Sequence, residues 1–129
     1  ISSTLSTMGF ENKFEKKGGG DLEKKAHAQR AAYGEMRDTI DAADYVSNHM
    51  KGLLNTWSGQ DTTATKAEDV ERHMSSDMGL LFRSTRDQLS RKLRDKESQL
   101  AMAATIQARA ELFAAIARKH GFAIDPNAL

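Results

Sequence analysis

Asp69, His73 and Asp77 stand at intervals of four, which puts a carboxylate, an imidazole and a second carboxylate on one face of a helix. A metal ion could use such a donor set if a facing helix completed it, and His49 would lie within a turn or two of His73 in a hairpin. No Glu-x-x-His pair of the di-iron bundle type occurs, and His27 and His120 have no partner at ligand spacing. The expectation is therefore an ordinary acidic helix face, with no metal and no cofactor. Serine, histidine and aspartate are all present, but no Gly-x-Ser-x-Gly turn offers an activated nucleophile beside an oxyanion hole. Gly18-Gly19-Gly20 precedes a helix that opens with Asp21 and Glu23, acids that would repel a phosphate at a helix N-terminus. The absence of cysteine excludes disulfides, thiolate metal sites and thiol catalysis, and leaves the redox compartment unreadable. These observations predict a protein that is not an enzyme and has no small-molecule substrate.

Charge gives no global pull toward nucleic acid or membrane: 19 Lys plus Arg face 18 Asp plus Glu. It is nevertheless uneven. Residues 61–77 carry a net of -3 and residues 80–120 a net of +5. The cluster Arg83, Arg86, Arg91, Lys92 and Arg94 could meet phosphates, but Asp87, Asp95 and Glu97 interrupt it and no aromatic is interleaved for stacking. Arg109, Arg118 and Lys119 could bring 101–119 to a membrane surface, yet alanine supplies little apolar area per residue. Nucleic acid and membrane surface are thus second alternatives, carried by the basic second helix. A solvated helix face accounts for the charge runs more simply.

The elements that must carry these residues are helices. One proline in 129 residues leaves almost nothing to interrupt them, and alanine, leucine, methionine and the long charged residues dominate. Residues 1–20 read as a polar, flexible arm ending in the triple glycine. Asp21 is suited to cap a segment whose apolar positions, from Tyr33 to Trp57, alternate strictly by three and four. That heptad seam predicts a single rod over 22–57, roughly 54 Å long. Ser58-Gly59-Gln60-Asp61 ends it, and a turn at 58–62 returns the chain into a second tract of about 65–120. Met78, Leu89 and Leu100 lie 11 apart, as do Phe82 and Leu93, a spacing for nearly straight pairing. Ser75-Ser76-Asp77-Met78-Gly79 is the weak point, where a kink or a break is expected. The fold class is all-α: a long antiparallel, coiled-coil-like hairpin over 21–120, with a short tail at 121–129. Its core is predicted from Tyr33, Met36, Ile40, Met50, Leu54, Trp57, Met78, Phe82, Leu89, Leu93 and Leu100.

The stretch Ala101–Ala117 is the exception in a polar chain. Thirteen of its 17 residues are apolar and eight are alanine, against a mean hydropathy of -0.61 for the whole chain. A helix that is apolar nearly all round needs cover on more than one side. In the hairpin register it would overhang the first helix. Met102, Ile106, Leu112, Phe113 and Ile116 are accordingly expected to mediate association, in an oligomeric helical bundle with other copies of the chain or with another helical protein. No uncharged apolar run reaches 18 residues, so no transmembrane helix is expected. The chain begins at Ile1 without an initiator Met and shows no intact signal peptide, which suggests a processed product or part of something longer. The functional expectation is a structural or interaction subunit of a larger helical assembly, such as a secretion apparatus, a filament or a virion component. Secreted or particle-associated settings suit it somewhat better than the cytoplasm.

Trp57-Ser58-Gly59, at the turn between two long helices, resembles the WXG-type family of small secreted helical hairpins. The resemblance covers these three residues and a topology. It implies an alternative function, a secreted hairpin acting as a dimer or adaptor. The family's C-terminal Tyr-x-x-x-Asp/Glu export signal is absent from this chain.

Overall fold

The computed structural model describes residues 20–60 and 62–129. Most of the expected arm, and Asp61 of the expected turn, therefore lie outside the described residues. Four helices account for most of the rest: α1 (Asp21–Thr39), α2 (Tyr45–Ser58), α3 (Ala67–Lys92) and α4 (Lys96–Lys119), followed by a 3₁₀ turn at Pro126–Ala128. No strand occurs among the described residues. The fold is all-α.

The rod expected over 22–57 is broken at 40–44. Ile40 leaves the helix in an extended conformation, Asp41 Oδ1 accepts from the Ala43 N–H at 3.0 Å, and Asp44 Oδ1 accepts from Val46 N–H at 2.9 Å. Two aspartates that each bond a backbone N–H two residues on offer the chain a turn in place of helix. The heptad seam is intact on both sides of that turn, but it folds onto itself. Tyr33 and Trp57 meet with ring centroids 5.6 Å apart, and Arg37 of α1 donates to Asn55 Oδ1 and Ser58 Oγ of α2 at 3.2 and 3.3 Å.

The second tract differs in the opposite sense. Helix α3 runs unbroken through 75–79, and the break falls at 93–95 instead. The reason lies in the side chains. Asp77 accepts a hydrogen bond from the Tyr33 hydroxyl at 2.7 Å, so its carboxylate serves a tertiary contact and not a cap. Gly79 is covered by the Arg83 guanidinium, which a Cβ there would meet at 2.8 Å. At 95 the capping is real: Asp95 Oδ1 accepts from Ser98 N–H at 2.8 Å, and Gln99 Nε2 donates to the Leu93 carbonyl at 2.9 Å.

The turn at 93–95 lays α4 back along α3. Phe82 and Phe113 pack at 5.7 Å between centroids, and α1 touches each of the other three helices. One apolar core results, with Tyr33, Phe82, Phe113, Phe122, Met36 and Met50 among its largest fully buried side chains. Of the expected core residues, Trp57 and Leu93 are partly buried against it. Leu100 is a correction. It is 65% exposed, because the face of α4 turned toward Leu89 and Leu93 is carried by Met102 and Ile106.

Helix α4 ends in a Schellman motif. Phe122 N–H bonds Ala117 O at 2.9 Å and Gly121 N–H bonds Arg118 O at 3.0 Å, with Gly121 at φ +93°. That reversal sends Phe122 and Ile124 into the core. The Lys25 ammonium sits 5.2 Å from the Phe122 ring centre, and Ala123 N–H donates to Glu71 at 3.3 Å.

Candidate interaction face and polar cleft

The two sides of α4 are both apolar but differ in burial. Ile106, Ala110, Phe113, Ala114, Ile116 and Ala117 are buried in the chain's own core. Ala101, Ala104, Ala108, Leu112 and Ala115 are exposed on the opposite side. With Glu111 they recur at 101, 104, 108, 111 and 115, an alternation of three and four that keeps them on one stripe. Leu112 is 40% exposed and Leu100 flanks the stripe at its start. Glu97 stands at one end of this side, and Arg118 and Lys119 at the other. The expected contact residues thus divide: Ile106, Phe113 and Ile116 lie inside the protein, Met102 is partly buried, and only Leu112 stands on the outer side. The break at 93–95 explains the division, since it removes the overhang on which that expectation rested. By length and composition α4 is also the one described helix that passes as a candidate membrane span. It does so marginally, and its inner side is core, so no clear transmembrane span is present among the described residues.

Polar residues fix how the helices meet. Arg109, one of the few charges in the apolar stretch, has its side chain only 16% exposed, and its Nη2 lies 3.8 Å from Asp44 Oδ2. The same aspartate caps α2 with its other oxygen, so one carboxylate joins α4 to the start of α2. The Arg109 Nε and the Ser47 hydroxyl are buried without a hydrogen-bond partner among the described residues. Across the other end of α4, Glu35 Oε1 accepts from Lys119 Nζ and faces His120 Nε2, each at 3.0 Å. Those hydrogen bonds, from Lys119 first and then His120, hold the Glu35 carboxyl below its ordinary range.

A cleft of about 140 Å³ opens where α1, the connection after α2 and α3 converge. Gln29 and Tyr33 of α1, Trp57 of α2, Gln60, Thr62 and Thr63 of the connection, and His73 and Asp77 of α3 line it. Gln29 Nε2 donates to the Tyr33 oxygen at 3.4 Å, and Tyr33 donates onward to Asp77 Oδ2. Burial pushes the Asp77 carboxyl above its ordinary range, against the opposing influence of Tyr33 and His73. Burial and the neighbouring Asp77 charge likewise push the Tyr33 phenol well up, so it is a fixed donor. The trio read at intervals of four is not assembled as one site. Asp69 pairs with Arg72 at 2.6 Å, His73 Nδ1 donates to the Asp69 backbone carbonyl at 2.8 Å, and Asp77 is held by Tyr33. His49 bonds Ser84 at 3.1 Å. Among the described residues no cluster has the grouping of metal ligands. Comparison with protein-family models, with curated proteins and with solved structures found no match.

Part of the basic cluster is engaged within the fold. Arg83 lies over Gly79, Arg86 donates to the carbonyls of Phe82 and Leu129, and Lys92 stands 4.3 Å above the Tyr45 ring. The cleft was not foreseen from the sequence. Its signal was Asp77, an acid on the same helix face as the core residues Met74, Met78 and Leu81, which a solvated-face reading does not explain.

Proposed function

We propose that this protein is a non-enzymatic helical interaction subunit, and that the outer side of α4 is the surface by which it joins an assembly. The carrying observation is the exposed stripe Ala101, Ala104, Ala108, Leu112 and Ala115 on a helix whose inner side is already core. Alanine lets a second helix backbone approach closely, and Leu112 gives it a side chain to pack around.

A second copy of α4, running antiparallel about a two-fold axis at Ala108, fits this stripe in both size and charge. In that register Ala101 faces the other copy's Ala115, Ala104 faces its Leu112, and Glu97 faces its Lys119. The contact is isologous, as two-fold pairing requires. A single helix pair falls short of the roughly 1,200 Å² of a standard stable interface, so the two-fold contact is weak in isolation. The chain has no cysteine, which makes Ala108→Cys a clean test. Under mild oxidation it should give a disulfide-linked dimer, because α-carbons at the axis would lie within about 7 Å. Failure to cross-link, with mass measurements still showing an oligomer, would replace the antiparallel copy with another register or surface. A stable monomer at high micromolar concentration would remove self-association and leave only a different helical protein as partner.

A further inference from the structure

We propose that the cleft between α1, α2 and α3 binds a small alkylammonium ion, with Asp77 as its counter-ion and the Tyr33 and Trp57 rings as its walls. Asp77 is the only acid among the described lining residues, and no Lys or Arg joins it there. No described cation lies within ion-pair distance of its carboxylate. It is held in place by one hydrogen bond from Tyr33, which leaves acceptor capacity for a further donor. A partly buried carboxylate with no described Lys or Arg in ion-pair contact is costly, and a ligand of opposite charge relieves that cost.

The walls select the kind of cation. Tyr33 and Trp57 line the same space and pack directly on each other, their rings inclined at 49° with centroids 5.6 Å apart, so a cation in the cleft rests against this aromatic pair and not between the two rings. His73 donates through Nδ1 to a backbone carbonyl, which fixes its ring at the edge of the cleft. Gln29 and the threonine hydroxyls add neutral polar groups. A metal ion would need several hard oxygens converging at about 2.0–2.6 Å, and the trio that could have supplied them is dispersed. An anion would meet the Asp77 charge. The volume, about 140 Å³, holds four or five waters at roughly 30 Å³ each, enough for a small ion and too little for a nucleotide. The residue spacing alone gave no reason to expect such a ligand, and the inference is independent of the α4 surface.

Trp57 is the only tryptophan and so reports directly on the cleft. Titration of the full chain with methylammonium chloride, whose N–H groups can donate to Asp77, should change its fluorescence saturably, with a Kd on the order of millimolar. Sodium chloride at equal ionic strength and neutral tert-butanol should not reproduce the change. Asp77→Asn, which keeps an acceptor for Tyr33, should weaken binding at least tenfold. A linear response, or one shared by sodium chloride, would overturn the proposal, as would undiminished binding by a folded Asp77→Asn. If that variant loses its helical circular dichroism, amide chemical shifts of the unaltered protein decide the matter. Perturbations centred on Tyr33, Trp57, Thr63 and Asp77 support the site, and perturbations elsewhere or none reject it.

Discussion

The inner and outer sides of α4 are both rich in alanine, yet they differ in where the large residues sit. The inner side interleaves Ile106, Phe113 and Ile116 with Ala110, Ala114 and Ala117, all buried. The outer side carries Leu100 and Leu112 among alanines, all exposed. Alanine therefore plays two parts in one helix. Inside, it makes room for Phe113 to lie against Phe82. Outside, it leaves a smooth ridge that no described residue covers. A helix apolar all round announces that both sides can be buried, and only the position of its bulky residues tells which side the chain buries for itself.

The strongest way to break this comparison is to truncate one large residue on each side. Phe113→Ala removes a fully buried ring and should cost about 3–5 kcal/mol, read as a loss of the urea midpoint. Leu112→Ala should stay within about 0.5 kcal/mol. Equal losses would mean that Leu112 is also core and that the outer side is misassigned. Replacing Ile106 and Phe113 together with Ser should unfold the chain, and should not merely dissociate an intact hairpin.

The reciprocal experiment sharpens the outer side. Leu112→Glu should leave the thermal midpoint nearly unchanged while weakening self-association at least tenfold in sedimentation equilibrium, because it buries an unpaired charge opposite Ala104. A variant that associates as well as the parent chain would detach the assembly surface from α4.

What could be read in advance followed from periodicity, and what could not followed from single polar side chains. The three-and-four seam from Tyr33 to Trp57 falls on buried positions at Tyr33, Met36, Ile40, Ser47, Met50 and Leu54, while Ala43, in the turn, is exposed and Trp57 is partly buried, because angular position governs burial only where the chain is helical. It is silent on whether the rod continues. That was decided at Asp41 and Asp44, whose carboxylates bond nearby backbone N–H groups, and an aspartate in a helical window looks the same whether it caps or is solvated. The same ambiguity worked in reverse at Ser76 and Asp77, a good capping sequence that the Tyr33 hydroxyl, 44 residues away, put to another use. The cleft was illegible for that reason: Tyr33, Trp57 and Asp77 come together only once both turns are known.

The same contrast between inner and outer positions holds for two carboxylates. Asp77 is partly buried and meets a neutral phenol, whereas Glu35 lies at the surface between two basic groups. Removing the phenol hydroxyl with Tyr33→Phe strips Asp77 of the hydrogen bond from α1 and should cost about 1–3 kcal/mol. A loss near zero in chemical denaturation would show that water replaces the hydroxyl without penalty.

The smallest effect, and the sharpest in sign, is in acid. The folded protein holds Glu35 below its ordinary value of 4.5 through hydrogen bonds from Lys119 and His120. The unfolded chain therefore binds more protons in the window just below pH 4.5, and stability falls as pH drops through it. Asp77 is raised above its ordinary 3.8 by burial. Here the folded chain binds more protons in the window just above pH 3.8, so acidification relieves a penalty and stability gains. Stability measured from pH 6 down to pH 3 should therefore separate the two variants. Relative to Glu35→Gln, the parent chain should lose its advantage as the pH falls. Relative to Asp77→Asn, it should improve. Slopes of the same sign would mean that the two carboxyls share one environment, and the distinction between a charge-paired surface carboxyl and a desolvated one in the cleft would fail.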